Sequence, residues 1–181
     1  MTDGVERVYE RVLVLRCQAG DVAAFAELVE RWTPRLRYYL QRMLDGPDAD
    51  DALQDVWLDV HRGLGRLAEV AAFPAWLFRL ARDRVYRQLR RRRRTEPLRD
   101  LDPPAAGDGP DFTAEDAARL HVALAGLPPE QREVVVLRYV QGMTYDDIAA
   151  VVGVPVGTVR SRLHYAKRAL RLVLERGTND V

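Results

Sequence analysis

Four aspartates at helical spacing are the residues of this chain whose pattern could support catalysis. Asp51, Asp55 and Asp59 recur every four residues and Asp48 lies three residues earlier, so a helix would align their carboxylates on one side. Such a row could hold Mg²⁺ for nuclease-type chemistry. No histidine, lysine or second acidic cluster is spaced to complete that centre, so we predict no enzyme. A protein-docking face and a plain solvated face remain as interpretations.

The other potential metal-ligating or redox residues are scattered. Cys17 is the single cysteine and has no CxxC or CxxxH neighbour, so it predicts neither an internal disulfide nor zinc binding. His61, His121 and His164 lie far apart without ligand spacing. We therefore expect no metal, no cofactor and no redox chemistry.

The segment from Arg79 to Arg94 is dominated by arginines and holds one acid, Asp83. Like charges at this density repel, so a helix tolerates them only where the guanidinium groups reach solvent or a polyanion. A solvated helix end and an RNA-binding or nuclear-localisation tail are the alternatives. Nearby Phe73, Trp76 and Phe78 could stack on unpaired bases or fill a core.

A second basic stripe follows near the end of the chain. Between Arg160 and Arg171 there is no acidic residue, which favours a polyanion such as DNA over an ordinary solvated helix. Its cationic residues are Arg160, Arg162, Lys167, Arg168 and Arg171.

The segments that must position these clusters all show the apolar periodicity of helices, so we predict an all-α fold. Before residue 95 the apolar spacing predicts helices beginning after Asp21, at about Asp48 and near Phe73, the second ending near His61 and the third in the arginine run. After residue 113 we predict a helix from Thr113 to about Ala125 and another from Pro128-Pro129 to Gly142.

A short helix capped by Thr144 and Asp147, a turn at Gly153 and a basic helix from Pro155 have the pattern of a helix-turn-helix. The early turns of the second helix of such a motif enter the major groove. We therefore predict base-edge contacts from Thr158, Arg160, Ser161 and Arg162, and phosphate contacts from Lys167 and Arg168.

Composition separates two folded units. The 181 residues contain 48% hydrophobic and 30% charged residues, and the net charge is only +1. Residues 95–113 are acidic and rich in proline and glycine without apolar periodicity, so they predict a linker between domains 1–94 and 114–181. No apolar run is long enough for a membrane helix and the N-terminus is too acidic for a secretory signal, so we expect a cytoplasmic protein without membrane insertion.

Four segments in order resemble bacterial sigma factors of the extracytoplasmic-function class, within the sigma-70 family. They are GDVAAFAELVERW, DADDALQDVWLDVHR, FPAWLFRLARDRVYRQLRRRRR and LPPEQREVVVLRYVQGMTYDDIAAVVGVPVGTVRSRLHYAKRAL. The resemblance implies a sigma-2-like helical bundle and a sigma-4-like helix-turn-helix domain joined by a flexible linker. It also implies binding to core RNA polymerase, recognition and melting of promoter DNA, and control by an anti-sigma factor.

The resemblance assigns roles to residues of this chain. Asp51, Leu53, Gln54, Asp55 and Trp57 match the helix that binds the clamp coiled coil of the largest polymerase subunit. The loop 63–72 and the helix after it match the reader of the minus-ten element, in which a base flipped from the melted strand is held in the loop. The candidate minus-ten residues are Arg79, Arg82, Asp83, Arg87, Arg90 and Arg91.

Residues Thr158 to Arg162 match the reader of the minus-thirty-five element. The acidic linker matches the segment that threads toward the polymerase active centre.

Asp83 departs from the family pattern, because many relatives carry asparagine there and a carboxylate only accepts hydrogen bonds. We expect Asp83 to pair with Arg79 and Arg87, four residues away on either side, and to order them.

A stand-alone helix-turn-helix transcriptional regulator is the alternative function. Such a protein needs a sensor or dimerisation domain in its N-terminal half, where this chain instead has an acidic stripe and an arginine helix.

Overall fold

The computed structural model describes residues 2–44, 46–95 and 122–178, with side chains described for 4–44, 46–92 and 122–172. Nearly all of the predicted linker, and the start of the helix predicted at Thr113, lie outside these residues. The described residues contain helices and no strand, so the predicted all-α fold is confirmed.

The N-terminal bundle consists of four helices. Their bounds are α1 Thr2–Gln18, α2 Val22–Met43, α3 Gly46–Gly63 and α4 Phe73–Thr95, with 3-10 turns at Leu64–Arg66 and Val70–Ala72. Asp21 caps α2 by accepting a 3.0 Å hydrogen bond from the Ala24 amide. The helix then continues through Pro34, as the apolar spacing predicts.

An aromatic cluster fills the bundle. Trp32 of α2 meets Phe73 and Phe78 of α4 edge to face, with ring centroids 5.6 and 6.2 Å apart. Tyr39 meets Phe78 in the same way at 5.4 Å. Phe73 and Phe78 have no exposed surface, so of the three aromatic residues considered for base stacking these two belong to the core.

Helix α1 holds the loop between α3 and α4. Leu13 and Val14 are buried, and the Gln18 side chain donates hydrogen bonds to the carbonyls of Leu64 at 3.0 Å and Leu67 at 2.8 Å. Because α1 supplies these donors, the part of loop 63–72 that includes Leu64 and Leu67 is tied to the bundle.

The C-terminal half contains a helical turn at residues 122–125 and three helices. Helix α5 spans Pro129–Val135 and continues as a π-helical turn, Val136–Val140; α6 spans Tyr145–Val152 and α7 spans Val156–Thr178. Proline at the first position of α5 suits a site where no amide donor is needed.

The two halves pack against each other through polar contacts as well as one shared hydrophobic cluster. Glu133 of α5 has no exposed surface. Its carboxylate accepts hydrogen bonds from the hydroxyls of Tyr39 at 2.8 Å and Tyr86 at 2.9 Å, and it lies 3.3 Å from Nε of Arg82. A charged group can be buried this way because donors replace its lost water.

Burial and the neighbouring Glu133 carboxylate raise the pKa of both Tyr39 and Tyr86 above the ordinary value of 10.0. The stabilisation that these two phenols give to the contact should therefore be fully present below pH 10 and should be lost as the pH rises through their raised pKa values, since separated halves would ionise these phenols first. We expect the melting temperature to fall between about pH 8 and about pH 11 by more in the wild type than in a Tyr39→Phe/Tyr86→Phe variant.

The control for this pH comparison is Tyr165→Phe, because Tyr165 is 58% exposed. It should follow the wild-type profile. Identical alkaline profiles for the wild type and the double variant would contradict the assignment.

Candidate nucleic-acid interface

The helix-turn-helix is built by local capping. Thr144 and Asp147 form a reciprocal capping box at the start of α6, in which the Asp147 amide donates to Thr144 Oγ1 at 3.1 Å. Gly153 ends α6 with φ of 69°, a left-handed conformation that glycine adopts without steric cost. Buried Ile148 of α6 and Val159 of α7 contribute to the hydrophobic core.

Helix α7 presents most of the predicted DNA-contacting residues to solvent. Arg160, Ser161, Lys167 and Arg168 are exposed, whereas Thr158 and Arg162 are half-buried. Ser161 donates its hydroxyl to the Thr158 carbonyl at 2.9 Å. The first turns of α7 can therefore offer guanidinium and hydroxyl groups to a groove.

Tyrosines lie beneath two of these cations. The Arg160 guanidinium lies 5.8 Å from the Tyr145 ring centre, and the Lys167 ammonium lies 5.2 Å from that of Tyr139. A hydrogen bond with Tyr139 raises the pKa of Lys167. These contacts restrict the cationic side chains on the exposed side of α7.

The arginines of α4 are divided between two environments. Arg79, Arg87 and Arg90 are exposed, and so is Arg91. Arg82 is only 23% exposed, because it faces Glu133 and its guanidinium lies 4.3 Å from the Tyr86 ring centre. The predicted minus-ten residues therefore do not form one equally accessible set.

The expected pairing of Asp83 with Arg79 and Arg87 is wrong. Asp83 is exposed, and no salt bridge among the described residues includes it. Exposed pairs of this spacing gain little free energy over hydration, so these arginines extend into solvent instead.

The aspartates of α3 are partly neutralised by α4. Arg84 contacts Asp55 at 2.7 Å and Asp59 at 2.5 Å, and Arg92 contacts Asp48 at 2.5 Å. This pairing relieves the repulsion within the acidic row. Among the described residues there is no group of three potential ligands placed to hold a metal ion.

The remaining predicted docking residues of α3 differ in exposure. Asp51 and Gln54 are exposed, whereas Leu53 is buried in the bundle. Trp57 is half-buried and meets Phe25 edge to face at 6.4 Å. The exposed part of this surface is therefore mostly polar with part of the Trp57 ring beside it, and Leu53 contributes to the core.

Close packing also shapes loop 63–72 at its first residue, Gly63. A Cβ placed on Gly63 would lie 3.0 Å from the Trp76 ring, so glycine allows this ring to approach the backbone. Trp76, unlike Phe73 and Phe78, is half-buried. It is the aromatic residue of the three that retains surface beside the loop.

Sequence reasoning missed the cluster of Tyr39, Arg82, Tyr86 and Glu133. Glu133 is separated from Tyr39 by 94 positions, and no local spacing connects them. The one available signal was an acidic residue directly before the apolar segment Val134 to Leu137.

Models of known protein families match both halves of the chain. The model for Sigma-70 region 2 matches residues 28–95, and the model for Sigma-70, region 4, matches residues 117–170. The ECF RNA polymerase sigma-E factor of Escherichia coli strain K12 is 29% identical over 91% of this chain and 94% of its own length. The RNA polymerase sigma-H factor of Pseudomonas aeruginosa is 31% identical over 92% of this chain and 94% of its own length. This chain belongs to the extracytoplasmic-function sigma factors of the sigma-70 family.

Solved structures similar to this sigma factor include two complexes. CnrH in complex with the cytosolic domain of CnrY matches 92% of this chain and 97% of its own, with 27% identity and a TM-score of 0.71. The sigma factor RpoE of Bartonella quintana, in complex with the anti-sigma factor NepR, matches 85% of this chain and 98% of its own length. Its identity is 26% and its TM-score is 0.73. In the described part of this sigma factor, no helix has the length and apolar character to cross a membrane.

Arg84 should be more important for stability than its exposed neighbours, because it is 20% exposed and contacts two carboxylates. We expect Arg84→Gln to lower the free energy of unfolding by about 1–3 kcal/mol, measured by urea denaturation. Arg87→Gln, at an exposed position of the same helix, should change it by less than about 0.5 kcal/mol. Equal effects would contradict this role for Arg84.

Proposed function

We propose that this sigma factor binds core RNA polymerase, melts promoter DNA through its first domain and reads the minus-thirty-five element through α7. The observation that supports this most directly is the pair of exposed cationic faces on separate halves. Arg79, Arg87 and Arg90 belong to the first face, and Arg160 and Arg168 to the second. Two such faces on one chain can contact two separated stretches of the same DNA.

In the proposed complex, α7 lies in the major groove. Arg160 and Ser161, in its first turns, meet base edges, and Lys167 and Arg168 meet phosphates further along the helix. Half-buried Thr158 and Arg162 support these contacts from the side of the helix that packs inward.

The minus-ten element is proposed to bind at loop 63–72 and along α4. A base extruded from the melted strand enters the loop beside half-buried Trp76, at a cost of unstacking that later contacts offset. The exposed guanidinium groups of Arg79, Arg87, Arg90 and Arg91 follow the backbone. Asp83, which can only accept hydrogen bonds, suits an exposed base amine better than a phosphate.

The polymerase is proposed to bind the exposed side of α3. Asp51 and Gln54 present polar groups there, and Asp55 keeps half of its side chain exposed despite its contact with Arg84. Trp57 adds apolar surface at the same helix. The expected contact is the clamp coiled coil of the largest subunit, and all nucleotide chemistry belongs to the polymerase.

Regulation by an anti-sigma factor is part of the proposal. It is supported by the similarity to CnrH and to RpoE of Bartonella quintana, each solved with a partner protein. Such a partner is expected to suppress transcription by covering the DNA-reading or polymerase-binding surfaces.

The deciding experiment is transcript mapping on a library of genomic fragments with the purified chain and core polymerase. Specific start sites gained on mixing support the proposal and also define the promoter sequence. A stand-alone regulator would instead bind DNA without core polymerase and would add no start-site selection to it.

Once a promoter is defined, Arg160→Ala should lower promoter affinity by about tenfold to a hundredfold and relax selectivity at one position of the minus-thirty-five element. Lys167→Ala should weaken binding to all sequences alike and reduce the salt slope by about 1. Fluorescence anisotropy of holoenzyme on promoter variants at several salt concentrations measures both. Arg11→Ala, an exposed arginine on α1, is the control.

Asp51→Lys should weaken the complex with core polymerase, because it reverses an exposed charge on the proposed docking face. We expect co-elution in size-exclusion chromatography to be lost at concentrations where the wild type co-elutes. Asp146→Lys makes the same change at an exposed position of α6 and should leave the complex intact. If both variants co-elute normally, α3 is not the docking face.

A further inference from the structure

Glu133 belongs to one half of the chain, and the donors that satisfy it belong to the other. Tyr39 lies on α2, and Arg82 and Tyr86 lie one turn apart on α4. Together they give both carboxylate oxygens a hydrogen-bond donor, at 2.8 and 2.9 Å, and a cation at 3.3 Å. The first domain therefore supplies these three partners of one acidic side chain of the second.

Two further sets of hydrogen bonds flank this cluster. Arg132, next to Glu133 and also buried, donates to the Arg42 carbonyl of α2 at 3.2 Å. Gln141 and Arg35 exchange bonds in both directions. Arg35 donates to the side-chain and backbone oxygens of Gln141 at 3.2 and 2.8 Å, and Gln141 donates to the Arg35 carbonyl at 3.2 Å. Because side chains and backbone groups are matched at three places, the contact has a defined register.

The contact engages a residue of the proposed minus-ten surface. Arg82 is 23% exposed and is directed at Glu133, whereas its neighbours Arg79 and Arg87 on the same helix are exposed. The Nε side of the Arg82 guanidinium faces the buried carboxylate and is therefore closed to a phosphate, since both anions would need the same side of the group. Helix α4 also packs along α6, the first helix of the helix-turn-helix.

We propose that Tyr39, Arg82 and Tyr86 form an intramolecular docking site for Glu133 of α5, so that the free chain holds itself closed and promoter DNA competes with Glu133 for Arg82. The docking itself is a property of the free chain, and its competition with DNA rests on the proposed function.

The polar cluster around Glu133 adds less to the cost of opening the contact than the apolar surface that the two halves share. On opening, the carboxylate, the guanidinium and both phenols regain water, so the net free energy of the intact cluster is much smaller than the sum of its bonds. Removing one partner while the halves stay closed leaves the others buried without compensation. Small changes in the cluster should therefore shift the equilibrium toward the open chain.

The first test uses the full chain without polymerase. Tyr39→Phe/Tyr86→Phe removes two hydrogen bonds to a charged group while Arg82, Glu133 and the aromatic packing stay in place. We expect the closed-to-open ratio to fall at least tenfold, seen as a larger radius of gyration in small-angle X-ray scattering. Tyr9→Phe is the matched control, because Tyr9 donates to Glu27 within the first domain.

Circular dichroism of each variant shows whether both domains remain helical. If the double variant loses helicity, Glu133→Gln replaces it, since that change removes the charge and keeps the shape. A helical variant with the wild-type radius of gyration overturns the proposal.

The second test closes the chain covalently. Arg35→Cys/Gln141→Cys in a Cys17→Ser background places two thiols where the halves meet, and a short reducible bismaleimide linker joins them. We expect specific run-off transcripts to fall at least tenfold on crosslinking and to return on reduction. Undiminished transcription by the crosslinked chain overturns the competition with DNA.

The two tests separate this inference from the proposed function. If the wild type gives no specific transcripts with core polymerase, the proposed function fails while the scattering comparison still decides whether the chain is closed. If transcripts form but the double variant and the wild type scatter alike, the docking site is wrong and the proposed function stands.

Discussion

A carboxylate without any exposed surface is the constraint on which the relation between the two halves depends. Glu133 cannot lose its water unless donors replace it, and those donors come from α2 and α4 of the other domain. Apolar attraction is non-directional. The hydrogen bonds around Glu133 are directional, because a displacement of about 1 Å breaks hydrogen bonds of this length.

Opposite charges are also paired within the first bundle. Helix α4 carries far more positive charge than a helix can bear alone, and the structure distributes it by helical position. Arg84 faces the aspartates of α3, Arg82 faces Glu133, and Arg79 and Arg87 remain in solvent. The acidic row and the arginine run, considered as separate signals in the sequence, are therefore partly one electrostatic unit. The charged side chains that remain exposed on each helix form the surface available to partners.

Local features were predictable from the sequence and long-range ones were not. The bounds of α4, the cap at Thr144 and the turn at Gly153 follow from periodicity, side-chain capping and a left-handed glycine, all of which act within a few residues. The pairing of Asp83 with its helical neighbours was predicted by the same local logic and failed, because an exposed pair competes with water on nearly equal terms.

The docking of Glu133 depended on the packing of two domains, for which a single sequence carries no spacing rule. A second residue illustrates the same limit. Leu53 belongs to a row predicted to meet the polymerase, yet its position on α3 faces the bundle, and only the rotation of that helix against its neighbours decides this. Helical periodicity gives the width of a buried face but leaves its edges uncertain by one position.

The polar part of the contact between the domains has consequences that apolar packing of equal area would not have. Exposing apolar surface costs free energy in proportion to area, so an apolar interface resists opening until a partner covers it again. Exposing Glu133, Arg82 and two phenols returns each group to water, and in the proposed complex the arginine gains a phosphate as well. Under the proposed function, the energy needed to open the chain is recovered in part by the phosphate contact that Arg82 gains, so Arg82 both holds the domains together and favours their separation on DNA. This coupling requires a cationic residue at position 82, since an apolar one could close the chain but could not take part in binding the promoter.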